Sequence, residues 1–563
     1  MKNYIDIHCH SVMTHYRNQE LNIPACEEIH KEVFTGSESL RSFYSQSNFA
    51  KLAGGGVGAI IISLYPVERK FLLPNFPIEG LLEKVISNIT GFSIENVREM
   101  LDEQETGTIR YFDDLVGEYK YLLSQVDTVC KGKEIKIVAN YDEYLENKQA
   151  GDKVSIIISI EGAHSLGTIL SSDLTKKPEL VQIEDYNDKY RDNVFALKKW
   201  GPNGSHTPLF ITLGHHFWNM LVGHAESLPF IFDQKTGKET GFTDAGWEMI
   251  DDLLSDEDEN GNPNKTRRVL IDIKHMSPRA RKQYYNYLAK RKKTTGLNIP
   301  LICSHASVGD APSLNYFIKG TEDYQSGKKK NYFNTSSLSL NNEDIKVIID
   351  SDGLIGIVLH EGRIASKDAM KESTYGINDS RKDIKKAQKK IDRLQYEIQT
   401  NVSDKRKLRI KDKIDEEMKQ IGKSGEKMRE GFVNMILANV YKIVEVYSVF
   451  NPAQPGKGWD HIGIGSDFDG MINKMDYLGT ANEFPVLEKL LIKFLKDPQT
   501  LDKFDPSWTT ERLKALQFDH SAEELAAKIM SKNADEFLRK YFNEDYLVKG
   551  INPVEVGGEE LVV

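Results

Sequence analysis

Apolar residues in this chain gather into eight short, nearly continuous runs, at 4–10, 57–65, 154–160, 209–213, 268–275, 299–305, 353–360 and 461–469. Each is rich in Ile, Val and Leu and shows little of the in–out alternation of a half-exposed strand. Such runs fit strands buried on both faces, as in a parallel sheet. Helix-length segments separate them, and eight strands alternating with helices match an α/β fold, a closed (β/α)8 TIM barrel of the metal-dependent hydrolase type. Helices are expected at about 40–52, through 77–130, and at 186–200, 243–255, 484–496, 509–515 and 521–542. The triple glycine at 54–56 precedes a strand instead of joining strand to helix, so it reads as a turn and not as a phosphate loop.

The stretch 380–422 differs from the rest. It is dense in charge, and Ile384, Ala387, Ile391, Leu394 and Ile398 repeat at steps of three and four, a short heptad seam. Asn401 to Asp404 can turn the chain with Ser403 as a cap, and Leu408, Ile410, Ile414, Met418 and Ile421 mark a second helix. This predicts a charged helical hairpin, a surface projection available for self-association. The chain then divides into barrel strands one to seven (1–364), the hairpin insertion (365–430), and strand eight with closing helices (431–563).

Of the 563 residues, 39% are hydrophobic and 28% charged, and the formal net charge is −10. The acidic balance argues against a nucleic-acid partner. The four cysteines, Cys9, Cys26, Cys130 and Cys303, are scattered with no CxxC pair, so neither a disulfide framework nor a thiolate zinc cluster is expected. The start shows no basic-then-apolar leader pattern, and no apolar run approaches the ~20 residues that span a bilayer. A reduced, cytoplasmic protein without a membrane partner is expected.

The chemistry sits where the strands end. His8 and His10 are two apart, so they face the same way and can grip one metal ion. Glu161 ends the third run, His215 and His216 follow the fourth, His275 the fifth, His305 the sixth, and Asp467 the eighth. A (β/α)8 barrel gathers its active site at this end. His8, His10, Glu161, His275 and His305 make four imidazoles and a carboxylate, a donor set for two divalent ions. Zinc suits it best, and Fe, Mn or Co are alternatives. Glu161 has two oxygens and can bridge, leaving two histidines for each ion. Two such ions ~3.5–4 Å apart can hold a hydroxide and polarise a carbonyl. Asp467 can take the proton of that water and pass it to a leaving amine. His215 can donate to a developing oxyanion.

Plainer roles stand beside these. His215 or His216 can be a hydrogen-bonded structural histidine, His360 is read as structural because five ligands already fill two sites, and His164 and His224 are read as loop histidines. Asp469 orients the turn after strand eight, and Cys9 and Cys303 are packing residues. No GxSxG elbow supports a serine nucleophile.

These segments together resemble the membrane dipeptidase (renal dipeptidase) family of the amidohydrolase superfamily. The likeness runs in order through Asp6-Ile7-His8-Cys9-His10, Ala53-Gly54-Gly55-Gly56-Val57-Gly58-Ala59, Ile160-Glu161-Gly162-Ala163-His164, Leu213-Gly214-His215, Ile271-Asp272-Ile273-Lys274-His275-Met276-Ser277, and Cys303-Ser304-His305-Ala306-Ser307. Its most specific piece is His461-Ile462-Gly463-Ile464-Gly465-Ser466-Asp467-Phe468-Asp469-Gly470, and Lys532-Asn533-Ala534-Asp535-Glu536-Phe537-Leu538 resembles the family's closing helix. The resemblance implies a (β/α)8 barrel with two zinc ions that hydrolyses dipeptides, often with a D-residue second. It implies the same five ligands, His215 as the substrate-polarising group and Asp467 as the proton shuttle. Two departures stand out. The family has His-x-Asp on its first strand, and His10 replaces that aspartate, leaving the site one negative charge poorer. The family also holds the dipeptide carboxylate with an arginine shortly before helix six, and the matching stretch 335–340 has none, leaving Lys328, Lys329, Lys330 or Arg363 as substitutes. The expected function is cleavage of an amide bond in a small substrate such as a dipeptide. The alternatives are an ester, lactone or N-acyl amine, or a metal-binding scaffold without turnover.

Overall fold

The eight apolar runs form the eight strands of a closed parallel barrel in the computed structural model, which describes residues 2–35, 39–72, 82–228, 232–318, 330–399, 403–498 and 501–553. The strands are β1 (Tyr4–Cys9), β2 (Val57–Leu64), β3 (Lys153–Glu161), β4 (Phe210–Thr212), β5 (Leu270–Asp272), β6 (Ile302–Ala306), β7 (Leu354–Ile357) and β8 (Ile462–Ile464). Their order is sequential, β8 pairs with β1, and β3 with β4 closes the ring. All eight are buried on both faces apart from the first residue of β3. This explains why their sequences carry β-branched residues without alternation.

β3 is the longest, because it serves three neighbours. One edge pairs with β2 from Ala59–Ser155 to Leu64–Ile160. The other edge pairs at its start with a strand at Lys133–Ile137 and at its end with β4, setting Glu161 beside Thr212. Lys133–Ile137 in turn pairs antiparallel with Val129–Cys130. The end of the stretch expected as helix at 77–130 is therefore strand. So is Thr108–Arg110, between helices Ile94–Glu105 and Tyr111–Gln125. The helix expected at 40–52 is also corrected: Ser39–Tyr44 pairs antiparallel with His30–Thr35, and a helix begins only at Phe49, where the Asn48 side chain accepts from the Lys51 N–H.

The hairpin is present as helices Ile377–Gln399 and Asp404–Phe450, the second preceded by Ser403 as its N-cap; Asn401 and Val402 lie outside the described residues. The second helix does not stop at 422. Its apolar half, including Phe432, Ile436, Val440 and Val444, packs on the barrel as the layer between β7 and β8. By length and composition this helix contains a stretch apolar enough to cross a membrane, and 78% of that stretch is buried inside the protein, as in a core helix.

Cys9 and Cys303 are buried and free, as expected. Cys26 and Cys130 instead form a disulfide with Cα atoms 5.8 Å apart, across a sequence separation of 104, which corrects the reading of four reduced cysteines. It ties the loop after β1 to the edge of the sheet. Cross-linking so distant a pair removes much freedom from the unfolded chain, so reduction is expected to lower the unfolding free energy by about 2–4 kcal/mol. Denaturant titration with and without reductant reads this, and a non-reducing peptide map showing both residues as free thiols would contradict the bond.

Candidate metal centre

A carboxylate at the end of a buried strand needs positive or hydrogen-bonding partners to be tolerated. Glu161 has them from all sides. Its Oε2 is 3.0 Å from His10 Nε2, and its Oε1 is 3.6 Å from His8 Nε2, 3.7 Å from His275 Nε2, 3.5 Å from His305 Nε2 and 3.5 Å from His215 Nε2. Five imidazoles from four segments thus point their outer nitrogens at one carboxylate. Asp467 joins them, with Oδ1 3.8 Å from His8 Nε2 and 3.7 Å from His10 Nε2. The seven expected site residues converge, and all are buried.

The donors sort into overlapping groups of metal-binding size. One is His8, His10, Glu161 and Asp467, the second is Glu161, His275 and His305, and the third is His215, His216 and His275. Glu161 belongs to the first two, which is the arrangement a bridging carboxylate requires. The sequence reading kept Asp467 apart from the ligands, and the geometry also brings it within ligating range of the His8–His10 group. Buried atoms of this cluster lack hydrogen-bond partners, among them both nitrogens of His8 and of His10, and Glu161 Oε1. Buried polar atoms left unpaired are costly, and here the Nε2 atoms of His8 and His10 and Glu161 Oε1 are groups able to ligate that face a common point. The residues therefore fit a pair of divalent cations, with His8 and His10 beside Asp467 for one, His275 and His305 for the other, and Glu161 between.

The electrostatics match that use. Burial opposes ionisation of Glu161, but the neighbouring His215, His8 and His10 outweigh it and hold the carboxyl well below its usual range. Burial, reinforced by His215 beside His275 and by His8 beside His305, pushes those two imidazoles well below theirs. They are neutral, the form that ligates. Burial and the nearby Glu161 raise Asp467 to about 6.

Backbone turns deliver these groups. His275 and Asp467 have φ of 65° and 62°, left-handed values for residues with a Cβ. Each such residue costs ~1–3 kcal/mol and persists only where the surroundings enforce it. Asp467 is held by its N–H donating to the His8 carbonyl at 3.0 Å. Gly465, two residues earlier, lies so close to β6 that an added Cβ would sit 1.7 Å from the Ser304 carbonyl oxygen. A second layer fixes the strand ends. Asp272 accepts from the hydroxyls of Thr212 and Ser304, each at 2.6 Å, and the Ser304 hydroxyl lies 2.9 Å from His305 Nδ1. Asp6 accepts from the His8 and Ser466 N–H groups. Asp469 accepts from the N–H groups of Gln46 and Ser47 and from the Ser47 hydroxyl, orienting the strand-eight turn against that loop.

Glu68 was not foreseen. It stands in the loop after β2, with Oε2 2.6 Å from His215 Nδ1 and Oε1 accepting from the Phe217 N–H at 2.8 Å. Despite burial, His215 and His164 bring its carboxyl down to about 2. It fixes the His215 ring with Nε2 aimed at Glu161. The only sequence signal was an acidic residue in a loop after a strand whose own end carries no ligand. His216 Nδ1 meets the Ser227 hydroxyl at 2.7 Å, and His164 Nε2 meets the Pro66 carbonyl at 2.7 Å, a buried structural contact. His224 is likewise buried between the carbonyls of Ala225 and Thr236. Lys328 and Lys329 lie outside the described residues. Lys330 is on the surface with Glu372, and the Arg363 guanidinium donates to the Ser227 carbonyl.

No protein-family model and no curated protein matches the chain. Solved structures similar to it include a dipeptidase described as a metallopeptidase of family M19, 13% identical over 96% of this chain and 99% of that one, with a TM-score of 0.41. A probable dipeptidase, PvdM, from Pseudomonas aeruginosa is 14% identical over 96% and 95%, with a TM-score of 0.46. A metallopeptidase from Rhodobacter sphaeroides, bound to a phosphinate mimic of L-Ala-D-Ala, is 13% identical over 96% and 99%, with a TM-score of 0.42. Each of these similarities is of low identity and extends along 96% of the chain.

Proposed function

We propose that this protein is a metal-dependent hydrolase that cleaves an amide bond in a small substrate such as a dipeptide. The observation that carries the reading is the sharing of Glu161 between two histidine pairs at the C-terminal rim of a closed barrel. Nitrogen donors with carboxylate oxygens favour zinc among the common divalent ions. Two cations bound there supply a nucleophilic water at neutral pH and polarise the carbonyl under attack.

The chain's own residues supply the rest. Asp467 receives the proton of the attacking water and returns it to the leaving amine. His215, braced by Glu68, places its Nε2 where charge develops on the carbonyl oxygen. A second reading, hydrolysis of an ester, lactone or N-acyl amine, is favoured by one observation: stretch 335–340 offers no arginine for a dipeptide carboxylate. A panel of L-L and L-D dipeptides set against lactones and N-acyl amino acids separates the two.

Two measurements test the proposal. Metal analysis of purified protein should find about two equivalents, and Glu161→Gln should lower this to about one or fewer, since a carboxamide offers a single neutral oxygen. Wild-type protein that binds less than one equivalent would refute the paired centre. Asp467→Asn, compared at matched metal content, should lower kcat by about 10²–10⁴. An unchanged rate would remove Asp467 as the proton carrier.

A further inference from the structure

Of the three donor groups at the rim, the one formed by His215, His216 and His275 brings in a residue that the paired centre does not use. One ligating atom from each of the three lies within 4.8 Å of the others. Ring centroids are 3.9 Å apart for His215 and His216, 4.6 Å for His215 and His275, and 4.9 Å for His216 and His275. A metal-binding imidazole is fixed by a hydrogen bond at its other nitrogen. His215 has this from Glu68, 2.6 Å from Nδ1, and His216 from the Ser227 hydroxyl, 2.7 Å from Nδ1. Ser227 is held in turn, its hydroxyl accepting from Gln234 Nε2 at 3.1 Å. In both rings Nε2 is the atom left to ligate. His275 is 6% exposed, and its Nδ1 is buried without a hydrogen-bond partner among the described residues. His216 is the one member of the three donor groups that is not fully buried, which gives an ion access to it.

We propose that His215, His216 and His275 hold a third divalent cation, exchangeable and weaker than the paired ions, whose binding stops catalysis. The donors select the ion. Three nitrogens and no carboxylate suit zinc and exclude magnesium and calcium, which take oxygen ligands. Glu68 and Glu161 lie 2.6 and 3.5 Å from the two ring nitrogens of His215 and supply negative charge beside the cation. His275 Nε2 is also 3.2 Å from His305 Nε2, so His275 is shared with the ion of that pair, and the third cation is the weakest held. Inhibition follows from one atom. To donate to a developing oxyanion, His215 carries a proton on Nε2. To bind a cation it presents a lone pair there, and that proton goes to water. Glu68 occupies Nδ1 in both states, so the two uses exclude each other. The inhibition rests on the hydrolase reading, whereas the binding of the cation does not.

The test dialyses full-length protein against graded zinc and counts the bound metal. Wild-type protein should gain one equivalent beyond those held tightly, with a Kd about tenfold or more weaker. His216→Phe should lose that equivalent and keep the others. Ser227→Ala, which frees the His216 ring without removing a ligand, should weaken it by about 10–100-fold, and this variant decides the matter should His216→Phe fail to fold. In parallel, raised zinc should lower turnover by the wild-type protein, half-inhibiting at the concentration that half-fills the weak site, and should leave His216→Phe unaffected. Absence of a weaker equivalent in the wild type would overturn the site. So would its persistence in His216→Phe with an unchanged Kd in Ser227→Ala, because the ion would then sit elsewhere. A filled site with turnover insensitive to zinc would overturn the inhibition. A protein without any amide hydrolysis would refute the hydrolase, and the equivalent lost in His216→Phe would still establish the third cation.

Discussion

A single carboxylate held among five imidazoles is the constraint around which this molecule is arranged. Glu161 ends a strand whose other residues are almost all sequestered from water, where an isolated negative charge would be driven to protonate. It stays ionised because His8, His10, His215, His275 and His305 reach it from four separate segments. None of those segments is near Glu161 in sequence except through the barrel. The closure of β3 onto β4, with Glu161 level with Thr212, sets the height at which every other ligand must arrive.

Barrel strands deliver side chains to a rim, but they do not by themselves aim them. The aiming comes from departures at the strand ends. His275 and Asp467 adopt left-handed backbone, and Gly465 permits β8 to press against β6 so that Asp467 emerges beside His8. Strain of that kind survives only where it is outweighed, and the Asp272–Ser304–His305 and Asp6–His8–Ser466 contacts supply the rigidity that outweighs it. These contacts give a reason for polar residues inside otherwise apolar strands. Asp6, Asp272 and Ser304 interrupt the hydrophobic runs because they position ligands.

The eight strands and the rim chemistry were legible because continuous apolar runs ending in His, Glu or Asp form a local pattern repeated many times. What escaped the sequence is tertiary or ambiguous at short range. Glu68 sits in a loop with no periodicity to mark it, and only folding reveals that it meets His215. Cys26 and Cys130 are 104 apart, and spacing alone says nothing of their pairing. Ser39–Tyr44 reads Ser-Leu-Arg-Ser-Phe-Tyr, with no clear period and too short to separate strand from helix, and its partner at His30–Thr35 decides the matter. The long helix at Asp404–Phe450 was cut short at 422 because its surface pattern changes there from a charged coiled-coil stripe to an all-apolar face. That change marks where the helix leaves solvent and enters the barrel layer, not where it ends.

The imidazole at position 10 changes the charge balance of the whole centre. A carboxylate there would have given the first ion its own anionic ligand. With His10 in place, the nearest second carboxylate is Asp467, whose oxygen lies at almost equal distance from His8 and His10. One residue is then placed both to offset the charge of an ion and to carry a proton, and its carboxyl is held near 6 by burial and by Glu161.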